Sequence, residues 1–423
     1  MATSKLVYRK RPDGGDEGQG GAAAADAAVE ATGTGQSSSN LPIPLPVTLS
    51  ERWRKWVVRT ITTWTLIGIF SLIVQQGPIA ISVSIVLLQM VAFREVVNIG
   101  YLWNVEKQLP LFRVQQWYFL LVAFYAVYGK GTQLYLLPMM GEVVPGFGWT
   151  LNHHSFVAFC GWVCGFVVFV VSLRKGSYKY QVAQFAWTHM CLLLVILPNI
   201  FVIRNTFNGL FWFLLPSTLI FVNDITAYMW GFHFGRTPLI QLSPKKTWEG
   251  FIGGGLCTLI WGFVFPAWLV SHEWLICPRA IESCTLNPVF TPTAYELQSA
   301  LAASILAKLG FTVVGTAVVL IPVQLHGLAL AFFASVIAPF GGFFASGVKR
   351  AYNLKDFANL LPGHGGIIDR VDCQFLMATF TYMWYINFIN KYDLSLPDLI
   401  VQLQSLSEGE IAEVCAQIRC AAP

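Results

Sequence analysis

Apolar stretches near 60–75, 78–93, 116–137, 155–173, 183–203, 209–230, 251–270, 311–345 and 373–389 run through this sequence and leave no route to a water-soluble fold. A helix crossing the hydrocarbon core of a bilayer needs about 20 mostly apolar residues, and several of these stretches reach that length. Hydrophobic residues make up 55% of the chain and charged residues 12%, roughly half the charge of an ordinary globular protein. A soluble domain could not hide so much apolar surface, and a disordered chain would not carry it. The expected fold class is therefore all-α: a polytopic transmembrane helical protein with roughly 8–10 membrane helices and a disordered N-terminal tail.

The chain divides by composition. Residues 1–50 are rich in Gly, Ala, Ser and Gln, with few bulky apolar residues, and read as a disordered cytosolic tail. No apolar run follows Arg9, Lys10 and Arg11, so this is no secretory signal, and Asp13, Asp16 and Glu17 argue against a transit peptide. Residues 51–210 read as N-terminal transmembrane helices, and 211–390 as a transmembrane region carrying two polar motifs. Residues 391–423 read as an amphipathic tail. Gln75, Gln76, Gly77 and Pro78 mark a tight turn between the first two helices. The stretch 298–345 is expected to hold two spans, or one interfacial helix followed by one span. Arg52, Arg54, Lys55 and Arg59 precede the first span and favour a cytosolic N-terminus.

Lys and Arg number 27 against 22 Asp and Glu, a net +5 too small to suggest nucleic acid as a partner. The nine cysteines are scattered through apolar stretches and define no disulfide framework. Cys277 and Cys284 flank a polar stretch between hydrophobic segments, where a lumenal disulfide is one reading. The histidines, His153, His154, His189, His233, His272 and His326 among them, lack metal-ligand spacing.

Two polar islands interrupt the apolar chain. From Lys349 to Asp372 lie seven charges, Lys349, Arg350, Lys355, Asp356, Asp369, Arg370 and Asp372, where about three would match the average density. Charges beside membrane segments are costly and are kept where they act. The bases can clamp phosphates. Asp356, Asp369 and Asp372 are hard oxygen ligands suited to Mg²⁺, which usually takes one or two carboxylates plus substrate phosphates. Pro362, Gly363, Gly365 and Gly366 form a turn able to bring His364 and the backbone close to a ligand. A solvated loop with internal salt bridges is the plainer alternative.

The second island runs from Asn223 to Gly250. Asp224 sits in a long apolar run, where an ionisable residue is a functional candidate, though it could serve only helix packing. Arg236 follows, then Ser243, Lys245 and Lys246, a phosphate-gripping set. Ser243 or Thr247 could cap a helix starting near Trp248, whose free amides would suit an anion. Positive-inside anchoring would account for the lysines alone. The chain contains no G-x-x-x-x-G-K-[ST] loop and no D-G-x-x-A-R element, which excludes the usual ATP cradle and the alcohol phosphotransferase signature.

Residues 346–372, with Ser346, Lys349, Arg350, Lys355, Asp356, Pro362, His364, Gly365, Gly366, Asp369, Arg370 and Asp372 at its fixed positions, resemble the CTP-transfer signature of phosphatidate cytidylyltransferases. Asn223-Asp224, Phe234-Gly235-Arg236, Ser243 to Gly250 and Pro339 to Ala345 look like that family too. The resemblance covers most of the chain from about residue 50 and is similar in texture to the eukaryotic endoplasmic-reticulum type.

The resemblance implies transfer of the cytidylyl group of CTP to phosphatidate, giving CDP-diacylglycerol and pyrophosphate. It implies Mg²⁺, two divalent ions or one with a monovalent ion, held first by Asp356 and Asp369 and then by Asp372 and Asp224. Lys349, Arg350, Lys355 and Arg370 would contact phosphates of either substrate, and Ser243, Lys245, Lys246 and Arg236 the triphosphate. His364 would position a phosphate. The resemblance also implies the bilayer as a partner, a homodimer, and an endoplasmic-reticulum location with the active-site loops cytosolic. Two rivals follow from the same residues. A CTP-dependent polyprenol or phytol kinase would need a base for its alcohol. An ion-coupled transporter would show paired broken helices in two related halves, and no such repeat is visible.

Overall fold

The computed structural model describes residues 51–99, 112–135, 153–277, 287–297, 312–358 and 365–390, together with a few isolated positions. The expected disordered tail, His364, Cys284 and nearly all of the C-terminal amphipathic segment lie outside the described residues. The chain divides into two units, Met1–Val58 and Arg59–Pro423, and apart from the first turns of the first helix everything below belongs to the second.

Helix α1 (Glu51–Gln76) and α2 (Pro78–Val97) meet at Gly77, whose φ of 93° is a conformation that favours glycine. Pro78 then starts α2, where its missing N–H costs nothing. The expected turn is there. Next come α3 (Phe112–Tyr135), α4 (His154–Val171), α5 (Tyr178–Phe207) and α6 (Phe211–Phe234). A short hairpin, β1 (Pro238–Ile240) and β2 (Ser243–Thr247), joins α6 to α7 (Trp248–Val270). The helix expected near Trp248 is capped by Thr247, whose side chain accepts from the Gly250 N–H at 3.2 Å.

After a single turn, α8 (Glu273–Ile276), the chain differs from expectation. Strands β3 (Thr293–Glu296), β4 (Val313–Val314) and β5 (Ala317–Leu320) form an antiparallel sheet with β5 in the centre. The apolar stretch expected from 311 therefore opens as strand. Gly310 and Gly315 take φ of 90° and 64°, which ends helix locally, and β-branched Thr312, Val313, Val314, Thr316, Val318 and Val319 suit a pleated strand. Helix starts only at Pro322. From there α9 (Pro322–Val336) and α10 (Pro339–Ala351) make one 30-residue apolar segment rather than two spans. A last long helix, α11 (Ile368–Trp384), ends in a π-helical turn, Tyr385–Ile389.

The protein is thus a polytopic helical membrane protein with two small sheets added. Among the described residues six segments are long and apolar enough to cross a membrane: α2, α4, α5, α6, α7 and the α9–α10 pair. The apolar part of α1, Thr60–Gln76, is shorter. Leu72, Leu87, Phe159, Val171, Leu193 and Ile260 are exposed, as lipid-facing side chains should be.

Two buried clusters organise the interior. One joins α6, α7, α9 and α11 around Phe211, Trp212, Leu215, Leu330 and Met377. The other joins α2, α3 and α5 around Phe93, Phe119, Leu120 and Val195, and takes in Ile368 at the start of α11. Val348, Leu354, Phe357, Ile367 and Val371 pack against this second cluster, so the signature segment rests on the early helices. Cys277 is disulfide-bonded. The Cys284 expected as its partner lies outside the described residues.

Candidate active site

The signature segment starts on α10, which lies directly against the first turns of α11. A Cβ on Gly341 would stand 2.5 Å from the Asp372 carbonyl oxygen, and one on Gly342 would meet Cys373 Sγ at 3.3 Å and Asp372 Oδ2 at 3.4 Å. Only glycine at 341 allows that approach. Helix α10 ends near Asn353, whose φ is 55°, and the Leu354 N–H bonds back to the Lys349 carbonyl at 2.8 Å.

Lys349, in the last turn of α10, donates to Asp369 Oδ1 at 2.6 Å, and the pair is almost sealed, with side chains 13% and 7% exposed. Asp369 Oδ2 accepts from the Phe357 and Gly366 amides, both at 3.1 Å. Both oxygens of Asp369 are therefore engaged with protein, and this carboxylate ties together α10, the connecting loop and α11. Gly365, at φ 80°, sits between two acids: a Cβ there would be 3.3 Å from Asp369 Oδ2 and 3.4 Å from Asp356 Oδ1. Asp356 and Lys355 are exposed, as are Arg350 and Arg370.

The second island reaches the same place. Asn223 is buried and accepts from Thr258 Oγ1 of α7 at 3.3 Å, while its neighbour Asp224, about 100° round α6, is exposed. Asp224 interacts electrostatically with Lys246 and Arg370, and Asp372 interacts with both Asp224 and Lys246. Lys246 also lies over the ring of Phe343, Nζ 4.6 Å from its centroid. Leu242, in the hairpin turn, is 3.9 Å from the Cβ position of Gly347. Residues about a hundred positions apart in sequence thus face one recess bounded by α6, the hairpin, α10 and α11.

Two of the four aspartates, Asp356 and Asp369, flank Gly365; the other two, Asp224 and Asp372, are near enough to interact electrostatically. Among the described residues no three His, Cys, Asp or Glu side chains converge as a preformed metal cage. Paired carboxylates that leave most positions open suit Mg²⁺, which dehydrates reluctantly and takes its remaining ligands from water and substrate phosphates. Ser243, Lys245 and Arg236 lie on or beside the hairpin with Lys246. Among the described residues no hydrogen bond or ion pair joins their side chains to the signature segment.

Two acids in the site were not singled out by sequence. Glu249 accepts from the Thr237 hydroxyl at 2.6 Å and from the Arg236 and Thr237 amides, which holds the hairpin to α7. Glu95, buried in α2, accepts from the Ile367 and Ile368 amides at 3.0 and 3.1 Å. Its signal in the sequence is an acid within an apolar helix, which the adjacent Arg94 disguises as an interfacial pair.

Comparison with known proteins places the chain in a family. The model of the cytidylyltransferase family matches residues 57–388, a range that contains both islands, Glu95 and every helix from α2 to α11. The chain belongs to the cytidylyltransferase family. Its relatives within that family include phosphatidate cytidylyltransferase 1 of Rattus norvegicus, 43% identical over 81% of this chain and 74% of the relative. Phosphatidate cytidylyltransferase 1 of Arabidopsis thaliana is 40% identical over 84% of both chains. A putative phosphatidate cytidylyltransferase of Schizosaccharomyces pombe is 41% identical over 82% and 79%. The matches run along most of the chain rather than over a single motif.

Proposed function

We infer that the chain transfers the cytidylyl group of CTP to phosphatidate, leaving CDP-diacylglycerol in the membrane and releasing pyrophosphate. It is a nucleotidyltransferase of phospholipid biosynthesis. Relatives of that name at about this similarity along most of the chain support the reading. The observation that carries it is the convergence of the two islands, with Lys246 over Phe343 and Asp224 near Asp372, into one charged recess.

A phosphate oxygen of phosphatidate forms the new bond to the α-phosphorus of CTP, and the α–β bridging bond breaks, its electron pair leaving with pyrophosphate. A phosphate monoester is largely ionised near neutral pH, so no strong general base is required. What the site must supply is alignment of two anions and neutralisation of their charge. Lys245, Lys246, Ser243 and Arg236 would hold the triphosphate, and Arg350, Lys355 and Arg370 the phosphates nearer the reacting atoms. Lys349 keeps Asp369 in register, and His364 would orient a phosphate. Asp356, Asp372 and Asp224 would hold Mg²⁺, which when bound supplies positive charge to the attacking and leaving oxygens, while Asp369, its two oxygens taken by Lys349 and two amides, fixes the segment beside them.

The recess lies between helices that also face lipid, so diacyl tails can remain in the bilayer while the nucleotide arrives from water. The lysines and arginines of both islands argue for a cytosolic site. The proposal includes the endoplasmic-reticulum membrane, and the homodimer implied by family resemblance, which light scattering of the detergent-solubilised protein would check.

Purified protein given labelled CTP, phosphatidate and Mg²⁺ should make CDP-diacylglycerol. Asp356→Asn and Asp369→Asn should each lower the rate by at least about a hundredfold. Full activity in Asp356→Asn would remove the metal assignment. A phosphorylated alcohol as product would move the protein to the lipid kinases.

A further inference from the structure

Glu95 lies in the last turn of α2, a helix with no role in the chemistry above, and is 8% exposed. Its two oxygens divide between successive amides at the start of α11, Oε1 accepting from Ile367 and Oε2 from Ile368. Those amides belong to the set that an α-helix leaves without internal partners. A carboxylate there also lies at the positive end of the helix dipole. A second observation concerns Gly366 of the signature. A Cβ at that position would come within 2.8 Å of Glu95 Oε2 and 3.1 Å of the Ala358 amide nitrogen. Asp369 Oδ2 would lie 3.2 Å from the same Cβ, so glycine lets the loop close on Glu95, Ala358 and Asp369 at once, and the Gly366 amide itself donates to Asp369 at 3.1 Å.

Asp369, Arg370 and Asp372 follow within five residues of Ile367, on the same helical start. Any tilt or shift of that start moves all three together, relative to Asp356 across the loop and to Asp224. In-line transfer between two phosphates tolerates little such error, because a displacement of about 1 Å can cost about a hundredfold in rate.

We propose that Glu95 is a positioning residue for cytidylyl transfer: by clamping the first amides of α11 it presets the aspartates and Arg370 against nucleotide and cation. The proposal rests on the reading that the signature segment carries the chemistry. The early helices are then part of the catalytic apparatus, since α2 supplies the group that holds the segment in register.

The test uses full-length protein in detergent with labelled CTP, phosphatidate and varied Mg²⁺, each rate normalised to folded protein. Glu95→Gln replaces one acceptor by a donor that faces an amide. It should lower kcat about ten- to a hundredfold, the value of a charged hydrogen bond. It should also raise the Mg²⁺ concentration for half-maximal rate several-fold, while the KM for phosphatidate stays within about twofold. Gly366→Ala should give the same pattern.

Should Glu95→Gln fail to fold, Glu95→Asp, which keeps the charge and shortens the reach, carries the same comparison. A lower melting temperature with unchanged kcat and Mg²⁺ dependence would mean that Glu95 only cements the fold, and would overturn the proposal. Asp356→Asn run in parallel separates the premises: its retained activity would remove the site reading itself, and the role of Glu95 with it.

Discussion

Lys349 and Asp369 form an enclosed charge pair, and they differ from the exposed charges around them in what they can do. A sealed ion pair gives little net stability, but removing one partner strands the other. Lys349→Met should therefore cost about 3–5 kcal/mol, as should Asp369→Leu. The double change should cost clearly less than their sum, a coupling readable from melting in detergent. Equal, additive losses would show that the pair does not act as a unit. The order of charges in the signature was enough to nominate both residues. It could not separate Asp369, with both oxygens engaged, from the exposed Asp356, because that depends on which backbone amides the loop turns inward.

Among the elements, α6, α7 and α9 approach one another through glycine. A Cβ on Gly253 would stand 2.4 Å from the Trp230 ring, one on Gly262 would stand 2.5 Å from the Ala331 Cβ, and one on Gly327 would stand 2.1 Å from the Gly262 carbonyl oxygen. Such close contact is how membrane helices gain packing energy without a hydrophobic drive between them. Gly262→Leu should force α7 from α9 and cost about 1–3 kcal/mol or more, seen as earlier thermal aggregation of solubilised protein. An unshifted transition would mean that the helices tolerate separation there. Most helices were legible as apolar runs, and Gly77-Pro78 and Thr247 were legible as a turn and a cap. The sheet from Thr293 to Leu320 was not, because an apolar β-branched run reads alike as buried strand and as the start of a span.

Across the whole molecule, the functional reading requires both islands on one side of the membrane. In a cysteine-free background, single cysteines at Lys245 and at Lys355 should react with an impermeant maleimide from the same face of sealed vesicles. Labelling from opposite faces would end the shared-site reading. Chelation of divalent cations should abolish cytidylyl transfer, and added Mg²⁺ should restore it, while the melting temperature of the substrate-free protein stays nearly unchanged. A large loss of stability on chelation would instead indicate a structural metal.

Membrane class, approximate helix boundaries and the two charged segments were all available from the chain alone, because hydropathy, turn chemistry and charge order are properties of residues close together in sequence. The matches to known cytidylyltransferases rest on that same local order. Tertiary structure decided what faces what: Asp224 beside Asp372, Lys246 over Phe343, Asp369 spent on Lys349 and two amides, and Glu95 reaching Ile367 across 272 positions. Those contacts form only when separate helices pack, and no periodicity within one helix encodes the partner that another helix will bring to it.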